Sequence, residues 1–200
     1  MTHLGTTLGV TALALVLTAC SGGERRPVFE GDLAEARNCV TPEEATPVFD
    51  EAFDITSRNP ITNGENGEAF LEMARSSECV FELPSGLLYR IRTASMDGAS
   101  PTLGDRVTVH YRALHPNGVA FNDSYAMGDP MTFPSDRLIV AWQEALPLMR
   151  LGEHWELYVH PELGYGRSGT ANGPILPNEA LVFELELLGL PDAEPSEDAD

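Results

Sequence analysis

The chain has 200 residues, of which 42% are hydrophobic, and this is enough to bury a core in one or two domains. It carries 31 acidic against 12 basic residues, a formal net charge of −19, and every basic residue is an arginine. So acidic a surface repels phosphate backbones, and we expect no nucleic-acid partner. The acidity favours solubility but indicates no particular partner.

Residues 1–19 have the layout of a secretory signal peptide: an apolar stretch too short to span a bilayer comfortably, followed by small residues. The segment ends in Leu-Thr-Ala-Cys at Cys20, which resembles the bacterial lipobox, whose cysteine is acylated and becomes the mature N-terminus. We therefore expect a lipoprotein of the cell envelope, anchored to a membrane and facing the periplasm. Ser21 favours the outer membrane. The usual Lys or Arg near the start is missing, so a plain signal peptide is the alternative. Residues 20–40 are predicted to be a tether.

Two further cysteines, Cys39 and Cys79, form an even pair in what would be an oxidising compartment. A disulfide between them would close a loop of about 40 residues. Two buried free thiols are the alternative. Neither cysteine has a nearby histidine or a local motif that would indicate a nucleophile.

Residues 41–80 give helix signals and are predicted to form a short helical segment. One helix is predicted to be capped by Thr46, and the cluster of Gly, Asn and Pro at 59–67 is predicted to break the chain. A second short helix would then carry Phe70 and Ala74. Two helices are too few to bury a core alone, so they must pack on the following domain, on each other or on a second copy of the chain.

From residue 87 onward the hydrophobic pattern alternates with period two, which predicts half-buried strands at 87–92, 106–111, 154–159 and 181–188. Residues 139–149 predict a single helix, capped by Ser135 or Asp136 and ending or bending near Ala145 because Pro147 removes a hydrogen bond. The predicted class is α+β, with an antiparallel half-barrel sheet wrapped around one short helix and preceded by the small helical segment. Residues 191–200 are predicted to be an acidic disordered tail.

Motifs for the common enzyme chemistries are missing: there is no Gly-rich phosphate loop, no Gly-x-Ser-x-Gly elbow and no paired-histidine zinc spacing among the five histidines. We therefore expect no metal and no cofactor. What stands out between residues 85 and 190 is a series of aromatic side chains at strand ends, in loops and on the single helix.

Five blocks in this region resemble the FK506-binding-protein (FKBP) type of peptidyl-prolyl isomerase, in the same order and at matching spacing. They are Val107–Tyr111, Asn117–Tyr125, Leu138–Leu146, Gly164–Gly166 and Ile175–Phe183. The resemblance predicts an isomerase domain at residues 85–190. The preceding helices and the junction at 83–87 resemble periplasmic members of the macrophage infectivity potentiator group.

The resemblance implies a pocket for a substrate proline ring with Trp142 at its floor. Position by position, the pocket would be lined by Tyr111, Phe121, Met131, Phe133, Leu138, Ile139, Trp142, Tyr165 and Phe183. The Ile139 backbone N–H and the Tyr165 hydroxyl would donate hydrogen bonds to the substrate carbonyl. Asn122 stands where the family has an acidic residue, Asp123 follows it, and Ile175 belongs to the rim.

The implied partners are proline-containing polypeptides, and the implied role is to assist the folding of exported or envelope proteins. A macrolide is a further implied ligand, but Met131, Ala141 and the rim sequence at 174–176 depart from the family, so we expect weaker macrolide binding or an altered substrate preference. The alternative is a non-catalytic chaperone or binding module on the same scaffold. Dimerisation through residues 41–78 is left open.

Overall fold

The structure is a computed structural model that describes residues 30–39 and 48–193. The expected signal peptide, the expected lipidation at Cys20 and the capping signal at Thr46 lie outside the described residues, as does most of the acidic tail, from residue 194 onward.

Four helices and seven strands occur within the described residues. In chain order they are α1 (Glu30–Asn38), α2 (Pro60–Arg75), β1 (Phe81–Glu82), β2 (Leu88–Thr93), β3 (Arg106–Leu114), β4 (Ala120–Asp123), α3 (Ser124–Met127), β5 (Met131–Pro134), α4 (Val140–Ala145), β6 (His154–Val159) and β7 (Leu181–Gly189). Short 3₁₀ turns flank α4 and follow β6.

The seven strands form one antiparallel sheet, in which six follow the order β1-β2-β6-β7-β3-β4 and β5 pairs with β3. The long strand β3 pairs with β7 along one edge, and along its other edge it pairs with β5 at its start and β4 at its end. Helix α4 packs against one face of this sheet. The arrangement confirms the predicted α+β class with an antiparallel sheet around a short helix.

Neighbouring residues on each strand point to opposite faces of the sheet, and both faces are covered. In β6, Leu157 belongs to the core shared with α4, while Tyr158, one residue later, belongs to a second core shared with α2. In β2, Tyr89 belongs to the core shared with α4, and its neighbour Leu88 belongs to the core shared with α2. The sheet is therefore the middle layer of the molecule rather than a sheet with one solvated face.

The helix that the sequence predicts in the isomerase-like region ends at the expected place, although the region also contains the short helix α3. Helix α4 stops at Ala145, and Pro147 lies in the 3₁₀ turn that follows. The predicted cap was wrong, because Ile139 is the N-cap and makes no side-chain capping bond. Ser135 is instead fully buried, and its hydroxyl accepts a hydrogen bond from the Gly104 N–H at 2.8 Å.

Within the N-terminal segment, the predicted helix from Thr46 was wrong over the part that the structure describes, since residues 48–59 form turns and coil. This stretch is held by its aromatic residues instead. Phe53 is buried and meets Phe70 edge-on, with 6.5 Å between ring centroids. Tertiary packing has here overridden the local helix signals.

The predicted break at residues 59–67 was also wrong, because α2 begins at Pro60, the first position of the helix, and runs through the cluster. The Asn59 side chain caps it by accepting the Ile61 N–H at 3.0 Å. Gly67 allows α2 to lie close to the isomerase-like region, since a Cβ atom at this position would be 3.3 Å from the Cβ atom of Ala180. Helix α2 thus packs on the sheet of its own chain, the first of the three expected packings.

Part of the predicted tether is also helical. In α1, Ala36 is buried against the main core. Arg37 forms an ion pair with the fully buried carboxylate of Glu153, with 2.7 Å between Nε and Oε1. Directly after α1, Cys39 is bonded to Cys79, and their Cα atoms are 5.5 Å apart. The segment before the isomerase-like region is therefore fastened to it by packing, charge and a covalent bond.

We predict that replacing both cysteines of this disulfide by serine lowers the free energy of unfolding by about 4 kcal/mol, because opening the bond frees a long loop in the unfolded chain. The bridged residues are 40 positions apart. Urea unfolding of the chain from residue 21, without reductant, measures the loss, and the wild type with reductant is the control that should match the variant. Equal stability of variant and oxidised wild type would contradict the prediction.

Candidate functional site

A cavity of about 200 Å³ opens on the sheet face that packs against α4. It is lined by residues from strands β3, β4, β5 and β7, from the start of α4 and from the loop after β6: Tyr111, Ala113, Phe121, Asn122, Phe133, Leu138, Ile139, Trp142, Tyr165 and Phe183. Most of these side chains are aromatic or aliphatic, and cavities that bind small apolar groups are lined in this way.

Trp142 lines the cavity from α4 and is 4% exposed. Two rings stand edge-on to its indole: that of Tyr111 at 5.2 Å between centroids, and that of Phe183 at 5.6 Å. Edge-to-face contacts of this kind fix ring orientations. The indole is thus held in place before any ligand enters, and its Nε1 has no hydrogen-bond partner among the described residues.

A few polar groups lie among the apolar walls. Ile139 lies just before α4 in extended geometry, with φ −61° and ψ 154°, and no hydrogen bond from its N–H occurs in the described part of the chain. Tyr165 lies at the rim and is 40% exposed. Burial, reinforced by the nearby Tyr165, raises the pKa of the Tyr111 hydroxyl, so this group stays protonated and can donate. The site therefore offers hydrogen-bond donors and no ionised group.

The structure brings together all seven residues that the sequence singles out as catalytic candidates. Tyr111, Phe121, Asn122, Ile139, Trp142, Tyr165 and Phe183 all line the cavity, as do two of the expected binding residues, Phe133 and Leu138. Three expected binding residues, Met131, Asp123 and Ile175, are absent from its lining. Ile175 is buried in the main core, 4% exposed.

Asp123 lies on the opposite side of the sheet from the cavity and does not line it. Asn122 pairs with the cavity residue Ala113, and the next pair in the register is Asp123 with Arg112. The register is regular between Asn122 and Asp123 and shifts only on the Phe121 side, so Asp123 points away when Asn122 points in. Its carboxylate caps α3 through the Ala126 N–H at 3.1 Å and bonds the Arg112 guanidinium, also at 3.1 Å.

Sequence reasoning missed Ala113, whose small side chain leaves room in the cavity, and two buried groups behind the walls, His115 and Glu179. Strand alternation from Tyr111 was a usable signal for Ala113. No signal was available for the other two, since 64 positions separate them.

Two larger cavities, of about 480 and 610 Å³, have a different character. The larger lies on the face of Asp123, and its charged lining residues bond one another: Arg112 contacts Glu184 at 3.0 Å, and the Tyr125 hydroxyl donates to Glu186 at 2.8 Å. Charged and polar side chains make up this lining, whereas cavities that bind small organic ligands are lined mainly by apolar and aromatic groups. The smaller aromatic cavity is therefore the candidate site.

Within residues 30–39 and 48–193, no cluster of three or more His, Cys, Asp or Glu is suited to hold a metal ion. In the same residues, no helix combines the length and apolarity needed to cross a bilayer.

We predict that Asp123→Ala lowers the free energy of unfolding by about 1 kcal/mol, because α3 loses its N-cap. Asn122→Ala, on the cavity side, is the matched control and should change stability by less. Burial alone would raise the pKa of Asp123, but the hydrogen bond from the Ala126 N–H and the Arg112 guanidinium lower it below its ordinary value. The stabilisation by Asp123 is therefore present above about pH 4 and is lost as the pH falls through the folded pKa. Thermal unfolding at neutral pH and at about pH 3 measures the effect, and an equal loss for both variants at neutral pH would contradict it.

The sequence profile of the family described as FKBP-type peptidyl-prolyl cis-trans isomerase matches residues 98–188, which contain the whole cavity lining. The chain is 45% identical over 128 residues to the peptidyl-prolyl cis-trans isomerase Mip of Coxiella burnetii, covering 64% of this chain and 55% of that one. It is 40% identical over 128 residues to the outer membrane protein MIP of Legionella longbeachae, covering 64% and 54%. The matched region thus spans about half the length of these relatives.

A crystal structure of a peptidyl-prolyl cis-trans isomerase from Pseudomonas syringae pv. tomato superimposes with a TM-score of 0.61 and 30% identity, covering 67% of this chain and 97% of that one. The match therefore holds in sequence and in three dimensions, over the domain that carries the aromatic cavity. This chain belongs to the FKBP-type peptidyl-prolyl cis-trans isomerase family.

Proposed function

We propose that the protein is a peptidyl-prolyl cis-trans isomerase acting on proline-containing segments of exported or envelope proteins. The observation that carries this proposal is the preformed aromatic cavity of about 200 Å³, with the buried Trp142 in its lining. Cavities that bind drug-sized ligands measure about 300–1,000 Å³, so this one suits a single ring rather than an extended ligand.

The physical task is rotation about a partial double bond. The barrier for a peptide bond is about 18–20 kcal/mol, and isomerisation of a prolyl bond in water takes tens to hundreds of seconds. At the twisted midpoint, resonance is lost, the nitrogen becomes pyramidal and the carbonyl oxygen carries less negative charge. A catalyst therefore has to favour the twisted amide over the planar one, and it needs no nucleophile.

The walls of the cavity can favour the twisted amide by excluding water. A planar amide is the more polar form and loses more when it is removed from water, so an apolar enclosure stabilises the twisted form relative to it. Trp142 would support the face of the proline ring, while Tyr111 and Phe183, which hold the indole edge-on, would close its sides. The contacts that hold these rings exist before substrate binds, so little ordering cost is left for the binding step.

The polar groups of the cavity would orient the substrate. The free N–H of Ile139 and the hydroxyl of Tyr165 are donors suited to the carbonyl groups that flank the proline, and holding these fixes the axis about which the bond turns. Asn122 offers an amide on the same side, where the family has an acidic residue, so the substrate meets a neutral group here.

We predict that Trp142→Leu lowers kcat/KM about tenfold or more, because apolar contact with the proline ring is lost. Tyr165→Phe should lower it about three- to tenfold, the value of one hydrogen bond to a neutral group. A protease-coupled assay with an Ala-Leu-Pro-Phe peptide measures both.

The matched control for these variants is Tyr125→Phe, which removes a hydroxyl bonded to Glu186 on the other face of the sheet and should leave kcat/KM unchanged. Absence of wild-type activity above the uncatalysed rate would overturn the proposal. If that inactive protein suppressed aggregation of unfolded chains equally well with and without Trp142, a non-catalytic chaperone would be the better description.

We also propose that the protein is a lipoprotein of the cell envelope, anchored through Cys20 and facing the periplasm. The supports are the lipobox-like sequence ending at Cys20, the presence of a cysteine pair suited to an oxidising compartment, and the similarity to a relative named an outer membrane protein. An anchored isomerase would meet its clients as they emerge unfolded from export.

Cys20→Ser is expected to abolish incorporation of labelled palmitate during bacterial expression and to move the protein from the detergent phase to the aqueous phase. The control is the double serine variant of Cys39 and Cys79, which should retain the label because those sulfurs bond each other. Labelling that persists in Cys20→Ser would disprove anchoring at this residue.

A further inference from the structure

A buried pair of polar residues lies directly behind the cavity walls. His115 is 5% exposed and Glu179 is 2% exposed, and Nδ1 of the histidine lies 2.5 Å from Oε1 of the glutamate. Neither side chain lines the cavity. We propose that His115 and Glu179 act as a unit that positions the cavity's walls, and thereby sets its affinity for prolyl peptides, an inference that rests on the isomerase function proposed above.

The first wall that the pair positions is Phe121. Its ring packs against the imidazole of His115, with 5.0 Å between centroids and 52° between the planes. Phe121 lies on β4, an end strand of the sheet whose described pairing is with β3 alone. No further described strand supports it on that side, so the contact with His115 adds to the packing of the Phe121 ring on the main core.

The second element is the loop between β6 and β7, which carries Tyr165. The other oxygen of Glu179, Oε2, accepts the backbone N–H of Leu176 at 2.6 Å. The residue next to Glu179, Asn178, donates its own N–H to the carbonyl of Gly166 at 3.0 Å, one residue after Tyr165. Glu179 thereby ties the rim of the cavity to the histidine that supports Phe121 on the other side.

The chemistry of the pair favours a geometric role. Burial of a carboxylate is costly unless hydrogen bonds satisfy it, and here both oxygens are used. Apolar residues of the same size would generally stabilise a fold as well as a buried polar pair does. Apolar residues could not fix orientations in the same way. The two short hydrogen bonds of Glu179 fix the Leu176 backbone and the His115 ring relative to each other.

The test is a double-mutant cycle on His115→Leu and Glu179→Gln, with KM and kcat from the prolyl peptide assay and Kd from calorimetric titration with the same peptide. Each single variant should raise KM and Kd about three- to tenfold. The kcat should change by less than about twofold, because Trp142, Tyr165 and Ile139 are untouched and the lost contacts serve ground state and transition state alike. The double variant should lose no more than the worse single variant, because the two residues act as a unit.

The control is Glu153→Gln, which removes charge from another fully buried carboxylate, bonded to Arg37 and to the Trp155 indole, away from the cavity. It should lower the melting temperature without changing KM. The double variant contains no unpaired buried charge at this site, so it keeps the test meaningful if His115→Leu alone fails to fold.

Three results would overturn the proposal. The first is a folded Glu179→Gln or double variant whose KM and Kd equal those of an active wild type. The second is a change in KM that the control Glu153→Gln reproduces. Either result would leave the isomerase function intact. The third is a wild type that neither binds nor turns over the peptide, which removes the proposed function together with this inference.

Discussion

The alternation of side chains across the antiparallel sheet is the constraint on which the rest of the molecule depends. On β3, Tyr111 and Ala113 line the aromatic cavity, while Arg112 between them faces Glu184 and Asp123 on the other side. A shift of one residue in the register would exchange these sets and place charge in the cavity. The core under α4 and the core under α2 are the two halves of the same alternating pattern.

Buried carboxylates connect the parts of this acidic chain. Glu153 accepts hydrogen bonds from Arg37 of α1 and from the indole of Trp155, and Glu156 pairs with arginines of β2. Glu179 bonds His115, directly after β3, and Leu176 in the loop before β7. Each of these glutamates is at most 2% exposed. A buried carboxylate without hydrogen-bond donors is costly, so the segments that donate to these residues must lie next to them in the folded protein. The N-terminal extension and the loop that carries Tyr165 are fastened in this way.

The proposed chemistry of the site depends on the exclusion of water from the cavity. A dry aromatic cavity with a few fixed donors can lower the barrier to rotation about an amide without forming or breaking a covalent bond. Such a mechanism demands rigidity of the walls more than reactivity of any side chain. Under the positioning role proposed for His115, which contacts the Phe121 ring, groups behind the walls contribute to that rigidity.

The amino-acid pattern predicted the longer strands β2, β3, β6 and β7 and the end of α4 but not the short strands β1, β4 and β5, and the family resemblance supplied most of the cavity residues. Period-two alternation is a local property, so β6 was bounded correctly and the end of α4 followed from Pro147. The aromatic positions from Tyr111 to Phe183 could be matched because their order and spacing are carried by the chain itself.

Contacts between distant residues could not be read from that pattern. In the sequence, the glycines within α2 predicted a break in the helix. In the fold they allow α2 to approach Asn178 and Ala180 closely, and these residues lie more than a hundred positions away in the chain. The choice between Asn122 and Asp123 depended on the pairing register of β3 with β4, since either residue could face the cavity when the strand is considered alone. The burial of Glu179 against His115 likewise exists only once the fold has closed, because an acidic side chain in sequence is expected in water.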